Sequence, residues 1–337
     1  MNLRNSFIAV IILTLINSCD RNRLEVDASH VKVDIAYTDM DALIFKSDSI
    51  TLMKKHHAFK LELKDIYDYQ LGHCLGIGEV VDSTFYNSIT QYRADENIQQ
   101  LESDIQAHFS DLSSQKELIT KGFRQLKFHF PTGKQPKNIV FFNSLFRSGV
   151  FCTENEIGIG MERFLGDSNR IIQQLDPQTV FSWMKEGMDK RYLERDVITG
   201  WVETHYVAPA EGTLVEHMIR WGKVLYLTEA AYPMFDPSVI LRYSTADYQW
   251  ALENEFQYWK YLVNQKMLFK INERTTTNMI NEGPFTPGLP DQDSPDRLGQ
   301  FLGYRMVKNY MNNCEITVEE MLKVSYNDIL QAFKIEQ

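Results

Sequence analysis

The chain has 337 residues, and Asp and Glu outnumber Lys and Arg by 45 to 35, a formal net charge of −10 at pH 7. Such an acidic chain lacks the clustered Lys and Arg that grip phosphate backbones, so nucleic acid is excluded as an expected partner. A hydrophobic share of 44% with 12% aromatics can fill a sizeable core, which excludes disorder as a description of the whole, and no period of 20–50 residues marks a solenoid.

The amino terminus carries one charge at Arg4, then the apolar run SFIAVIILTLI over residues 6–16, then Asn17, Ser18 and Cys19. A charged start, a short apolar segment and a small residue before a cleavage point form an export signal. The run is too short for a bilayer span, which takes about 20 residues. Cys19 sits where a bacterial lipobox places its acylated cysteine, within Leu15-Ile16-Asn17-Ser18-Cys19, with Asn17 a relaxed match. The expected organisation is a lipoprotein signal peptide over 1–18, a lipid-anchored polar tether over 19–34 with lipid (palmitate among its chains) on Cys19, and one mainly helical domain over 35–337. The expected location is the cell envelope, held to a membrane by the N-terminal lipid and facing the periplasm, with inner and outer membrane both open. The remaining cysteines, Cys74, Cys152 and Cys314, are too far apart for a CxxC redox pair or a zinc ribbon; at most one disulfide can form among the three, and buried free thiols are the expected reading.

Along the exported part, residues 20–34 lead into a strand-like segment. Residues 37–53 carry apolar positions suited to a short amphipathic helix, and 55–72 continue the helical spacing. His56 and His57, being adjacent, do not share a helical face and read as solvent-exposed. Residues 82–125 read as two or three helices. Gln125–Pro131 (QLKFHFP) alternates apolar and polar residues and reads as a strand. With Asn138–Phe142 (NIVFF), Gly149–Cys152 and Glu156–Phe164 it predicts a small antiparallel sheet of three or four strands. From 177 onward helices are expected at 180–190, 193–206, 212–231 and 245–270. Ser294-Pro295 is expected to open a helix running to about 311, and Thr317 with Glu320 forms a capping box for the last one. The fold class expected is α+β, mainly helical, with helices around a small antiparallel sheet.

The usual chemistry-bearing motifs do not occur: there is no G-x-S-x-G elbow, Walker A loop or HExxH. A zincin needs two His at i and i+4 on one helix with a Glu between them, so that both rings face one ion. Here His205 and His217 lie 12 apart, accompanied by Glu203 and Glu216, and would have to meet across two helices. No cofactor and no metal is expected. Gly299 and Gly303 form G-x-x-x-G, but Arg297, Gln300, Arg305 and Lys308 keep that segment out of lipid, so close packing of two soluble helices is expected.

Four segments carry a resemblance: Gly158–Gly166 (GIGMERFLG), Met188–Trp201 (MDKRYLERDVITGW), Leu214–Pro233 (LVEHMIRWGKVLYLTEAAYP) and, most specific, residues 284–311 (PFTPGLPDQDSPDRLGQFLGYRMVKNYM) with its Ser-Pro-x-Arg-x-Gly-x-x-x-Gly core. Through them the exported part resembles the gliding motility lipoprotein GldB family. That family in turn looks like a distant relative of predicted zinc-dependent proteases, in which HExxH lies on one helix and a third ligand Glu on a following one. The counterpart of the first motif falls on Val197–Glu203, with Thr199 and Gly200 where His and Glu would stand, beside Trp201. The third-ligand position falls near Trp221. The resemblance therefore implies a zincin-like scaffold without its HExxH zinc site, and a role in gliding among other envelope motility or secretion proteins, as a noncatalytic structural or scaffolding component and not an enzyme. Two other readings stay open: a diverged metallopeptidase using His205, Glu216 or His217, and a peptide- or glycan-binding module. The vestigial cleft candidates are Thr199, Gly200, Trp201, Glu203, His217 and Trp221.

Overall fold

The structure is a computed structural model that describes residues 22–77 and 82–335. The expected signal peptide and Cys19 lie outside those residues. Strands β1 (Ala36–Asp39), β2 (Asn138–Phe142), β3 (Val150–Cys152) and β4 (Glu156–Gly160) form one sheet in the order β1-β2-β4-β3. The expected antiparallel sheet is corrected to a mixed one: β2 runs parallel to both β1 and β4, and the β3–β4 hairpin is antiparallel. The unbroken apolar run of β2 has a physical reason in this. Ile139 and Phe141 enter one core and Val140 and Phe142 another, as suits a central strand covered on both faces. Its return beside β1 follows a long helical excursion, the kind of connection parallel strands require.

That excursion comprises α1 (Met40–Lys46), α2 (Ser49–Glu62), α3 (Lys64–Asp68), a wide π turn (Tyr69–Cys74), α4 (Asp82–Ala94), α5 (Glu96–His108) and α6 (Ser113–His129). Met40, Ile44, Leu52, Phe59, Phe85 and Ile89 from α1, α2 and α4 close over Val140 and Phe142. His56 belongs to this core and is fully buried, contrary to the exposed reading. Its ring stacks on Phe85 at 3.8 Å, and Nδ1 lies 2.8 Å from the Tyr67 hydroxyl. The segment Gln125–Pro131 is also corrected, since it finishes α6. Phe123, Leu126 and Phe130 are buried while Phe128 is 39% exposed, so the period is helical and the alternation of Leu126, Phe128 and Phe130 misleads.

After β4 come a 3-10 turn (Met161–Phe164), α7 (Arg170–Gln174), α8 (Ser182–Glu186), a second 3-10 turn (Lys190–Tyr192), α9 (Leu193–His205) and α10 (Leu214–Ala231). There follow α11 (Pro237–Leu241), α12 (Thr245–Asn264), α13 (Glu273–Ile280), α14 (Leu298–Asn312), α15 (Val318–Lys323) and α16 (Tyr326–Ala332). The fold is thus mainly helical, as expected. Helix α10 is buried along most of its length and around most of its girth, which marks a central helix and not a surface one. Helix α14 lies against it through Gly222 and Gly303, so the G-x-x-x-G does serve close helix packing. Gly299 performs the same service against Met279 of α13.

Three local expectations resolve at the level of caps. Thr317 and Glu320 form the capping box of α15. The helix expected at 180–190 is shorter, with α8 ending at Glu186 and capped by Gly187. Helix α14 starts at Leu298, after Arg297 in the left-handed region, and not at Ser294-Pro295; the Ser294 hydroxyl instead accepts the Thr286 amide at 3.3 Å.

The described part of the expected tether, residues 22–34, is fastened to the body. Leu24 is 2% exposed within the main core. The Arg23 guanidinium donates to the carbonyls of Met311, Cys314 (2.9 Å) and Ile316 at the end of α14, and Gln125 and Lys127 of α6 donate to the Val26 and Lys32 carbonyls. Cys74, Cys152 and Cys314 are free thiols, as the sequence suggested.

Candidate functional site

The residues expected to mark a vestigial cleft separate into two groups. Thr199 faces α10 from α9, buried: its hydroxyl donates to the Arg195 carbonyl at 2.8 Å and meets the Thr228 hydroxyl at 3.0 Å. Gly200 faces the sheet, where a Cβ would lie 3.3 Å from Val150 and 3.5 Å from the Cys152 sulfur. Trp201 is fully buried, donates from Nε1 to the Lys134 carbonyl at 3.0 Å and packs edge-on to Phe123. These three are packing residues of α9, and none lines the cavity formed by the second group.

That second group is Glu203, His217 and Trp221, which line one cavity of about 500 Å³ with Glu211 and residues of α13 and its preceding loop. Glu203 pairs with Arg220 Nη1 at 3.1 Å, and Arg220 lies over the Trp221 ring at 5.5 Å. Burial, and then the charge of Arg220, hold the His217 imidazole below its ordinary pKa, so the ring is neutral at pH 7. His205 takes no part: Nε2 lies 2.9 Å from the Thr153 carbonyl and the ring rests on Trp201 at 3.9 Å. Glu216 is committed to the capping box of α10, accepting the Thr213 hydroxyl at 2.9 Å and the Thr213 amide. Among the described residues no three His, Cys, Asp or Glu side chains converge in a metal-holding group.

A second cavity, of about 300 Å³, was not foreseen from the sequence. It opens between the Met161–Phe164 turn, α8, the α11–α12 junction and the loop before α14. Arg163, Arg191, Arg242 and Arg297 line it together with Glu282 and Asp296. Arg242 pairs with Asp196 at 3.1 Å, and Arg297 with Asp296 at 3.0 Å. The rings of Tyr192 and Tyr243 lie under these two guanidinium groups at 5.0 and 5.5 Å. The arginines come from distant parts of the chain, so no spacing in the sequence announces the cluster. Its one legible trace is the polar, Pro- and Gly-rich loop of 281–296, which supplies much of one wall.

Comparison with known proteins decides the family. The family model described as gliding motility protein GldB matches residues 21–335. The chain belongs to the GldB family. Membership implies a role in gliding motility and, for a lipoprotein family, a membrane-anchored place in the envelope. No curated protein and no solved structure matches the chain. Among the described residues, no helix is long and apolar enough to cross a membrane.

Proposed function

We propose that this GldB family member is a noncatalytic scaffolding lipoprotein of the envelope gliding machinery. A signal peptide over 1–18 directs it across the membrane. Lipid on Cys19 moors it, and one folded body faces the periplasm and holds other motility or secretion proteins in place. The family match across 21–335 is the observation that carries this reading. Two physical points support it. The Arg23 fork fastens the chain to the body four residues after Cys19, so a lipid there would set the body close to the membrane surface. Each methylene of that lipid contributes about 0.8 kcal/mol on burial, so several chains anchor durably.

The scaffold is, on this reading, zincin-like and emptied of its centre. Thr199 and Gly200 stand where the first motif would place donors; around them are the Thr228 hydroxyl, a Val150 methyl and the Cys152 thiol, with no imidazole or carboxylate among these neighbours. Trp221 stands at the third-ligand position, and an indole offers no lone pair to Zn²⁺. One observation favours a second reading: His217 and Glu203 share a cavity with Trp221, which suits a peptide- or glycan-binding cleft or a diverged metallopeptidase.

Crosslinking in living cells, followed by identification of neighbours, tests the scaffold. Envelope motility or secretion proteins are expected in stoichiometric contact, and loss of those contacts on Cys19→Ala is expected as the body leaves the membrane fraction. A body that stays in membranes after that change contradicts the anchor, and an absence of envelope neighbours contradicts the scaffold.

A further inference from the structure

Two arginines of this cavity stand at helix ends, Arg242 closing α11 and Arg297 preceding α14. Arg242 and Arg297 are both held by backbone in the left-handed region, with φ of 57° and 53°. Residues with a Cβ adopt this region rarely, and it costs on the order of 1–3 kcal/mol unless the surroundings impose it. The surroundings do impose it. Arg242 donates from Nη2 to the Gly187 carbonyl at 2.7 Å, and Arg297 from Nη2 to the Arg242 carbonyl at 3.0 Å. The two guanidinium groups are therefore fixed before any ligand arrives.

What they present is a seat for a carboxylate. Glu282 already reaches it: its Oε1 lies 3.1 Å from Arg242 Nη1 and 3.8 Å from Arg297 Nη1. The Glu282 side chain is 49% exposed, whereas the arginine side chains are 16% and 9% exposed. The seat is thus rigid and its occupant is loosely held at the solvent side. Arg163 lines the same cavity and makes no hydrogen bond or ion pair among the described residues. A partly buried guanidinium carries five donors in a fork that matches a carboxylate, and here none of them is used. Asp247 and Asp293 also line the cavity. Asp247 is committed to the capping box of α12, where it accepts the Ser244 hydroxyl at 2.7 Å, whereas Asp293 is exposed and can accept N–H groups, so the charge pattern disfavours a polyanion and suits one carboxylate followed by amide or amine nitrogen.

We propose that this cavity binds the free C-terminal carboxylate of a peptide, with Arg163 supplying the fork, the Arg242–Arg297 pair supporting it, and Asp293 accepting from the peptide's N–H groups. The proposal stands on this cavity alone and does not rest on the gliding reading.

Calorimetric titration of the full-length protein in detergent tests it, with N-acetyl-alanyl-alanine as probe, its C-terminal amide as the matched control, and acetate as the bare carboxylate. The acid is expected to saturate one site, with the amide and acetate each at least tenfold weaker. Arg163→Gln is expected to weaken the acid at least tenfold, and Arg163→Lys to restore part of that loss. Equal binding of acid and amide overturns the proposal, as does acetate binding as tightly as the peptide, or no binding of the acid at millimolar concentration. An undiminished affinity in a folded Arg163→Gln protein overturns it too. Should that variant fail to fold, the acid–amide contrast on the unaltered protein decides.

Discussion

Gly222 of α10 and Gly303 of α14 meet backbone to backbone. A Cβ on Gly222 would lie 2.1 Å from the Gly303 carbonyl oxygen, and a Cβ on Gly303 would lie 1.7 Å from the Met218 carbonyl oxygen. Neither neighbour is a flexible side chain that could move aside. Gly303→Ala must therefore push the two most intimately packed helices apart, and overpacking of this kind costs about 1–3 kcal/mol or more. Equilibrium urea denaturation should show the midpoint falling for Gly303→Ala and for Gly222→Ala, whereas Gly288→Ala, where a Cβ meets nothing within 4 Å, suffers only from its φ of 88° and should cost about 1 kcal/mol.

Glu102 gives the protein a pH signature. Burial raises its carboxyl to about 7; the Gln106 hydrogen bond and Lys46 act against that, and Asp39 acts with it. Asp41, wholly buried nearby, is raised as well, by burial first and by Glu102 and Glu162 next. A raised carboxyl means that the native state holds its proton more tightly than the unfolded chain. Stability is therefore fullest below the ordinary value of 4.5 and falls as the pH climbs toward 7. Glu102→Gln keeps the acceptor for Gln106 and removes the buried charge. It should raise stability at pH 8 by on the order of 1–3 kcal/mol and change little at pH 5. Thermal unfolding at both pH values checks this, and an equal effect at the two would contradict it.

Glu162, together with Asn143, which accepts the Leu145 amide at 2.9 Å, holds the loop after β2. Leu145 and Phe146 have φ of 51° and 63°. The Glu162 carboxylate accepts the amides of Ser144 at 3.1 Å and Phe146 at 2.8 Å, and the Ser144 hydroxyl as well. Glu162→Ala leaves buried donors unsatisfied and should cost about 2–4 kcal/mol, while Glu162→Gln, which retains one acceptor oxygen, should cost less. The order of the two midpoints in denaturant is the quantity to measure.

Arg23 joins the start of the described chain to the end of α14 through three carbonyls. Arg23→Ala removes charge-assisted bonds to the last turn of α14 at Met311 and to the segment just beyond it at Cys314 and Ile316, at a cost of about 1–3 kcal/mol. Limited proteolysis should then cut residues 24–35 faster than in the unaltered protein, with the body resistant in both.

Much of this was legible in the sequence where one local force dominates. The Thr317–Glu320 box, the apolar length of α10 and the glycine pair of α14 each declare themselves within a few residues. The strand-like segment after residue 34 does become β1, but its pairing was not legible, because Asn138–Phe141, the partner beside Ala36–Asp39, lies about a hundred residues away. Helix α6 hid its period because Phe128 is an exposed aromatic among buried ones. His56 was misread because adjacency to His57 says nothing about which of the two turns inward. The cleft reading was half legible. Glu203, His217 and Trp221 do share a cavity, whereas Thr199, Gly200 and Trp201 lie in the packing of α9 against α10, β3 and α6 respectively. The arginine cavity was beyond reach, since Arg163, Arg242 and Arg297 converge only through tertiary structure.

The proposed noncatalytic role in gliding is tested most directly by the gliding speed of cells whose only copy carries Glu203→Gln together with His217→Ala. Both side chains line the cavity and neither is needed for the core, so the protein should accumulate normally. The account predicts speed equal to that of cells with the unaltered chain. Arrested gliding at undiminished protein level would contradict it and place chemistry or ligand binding in that cavity.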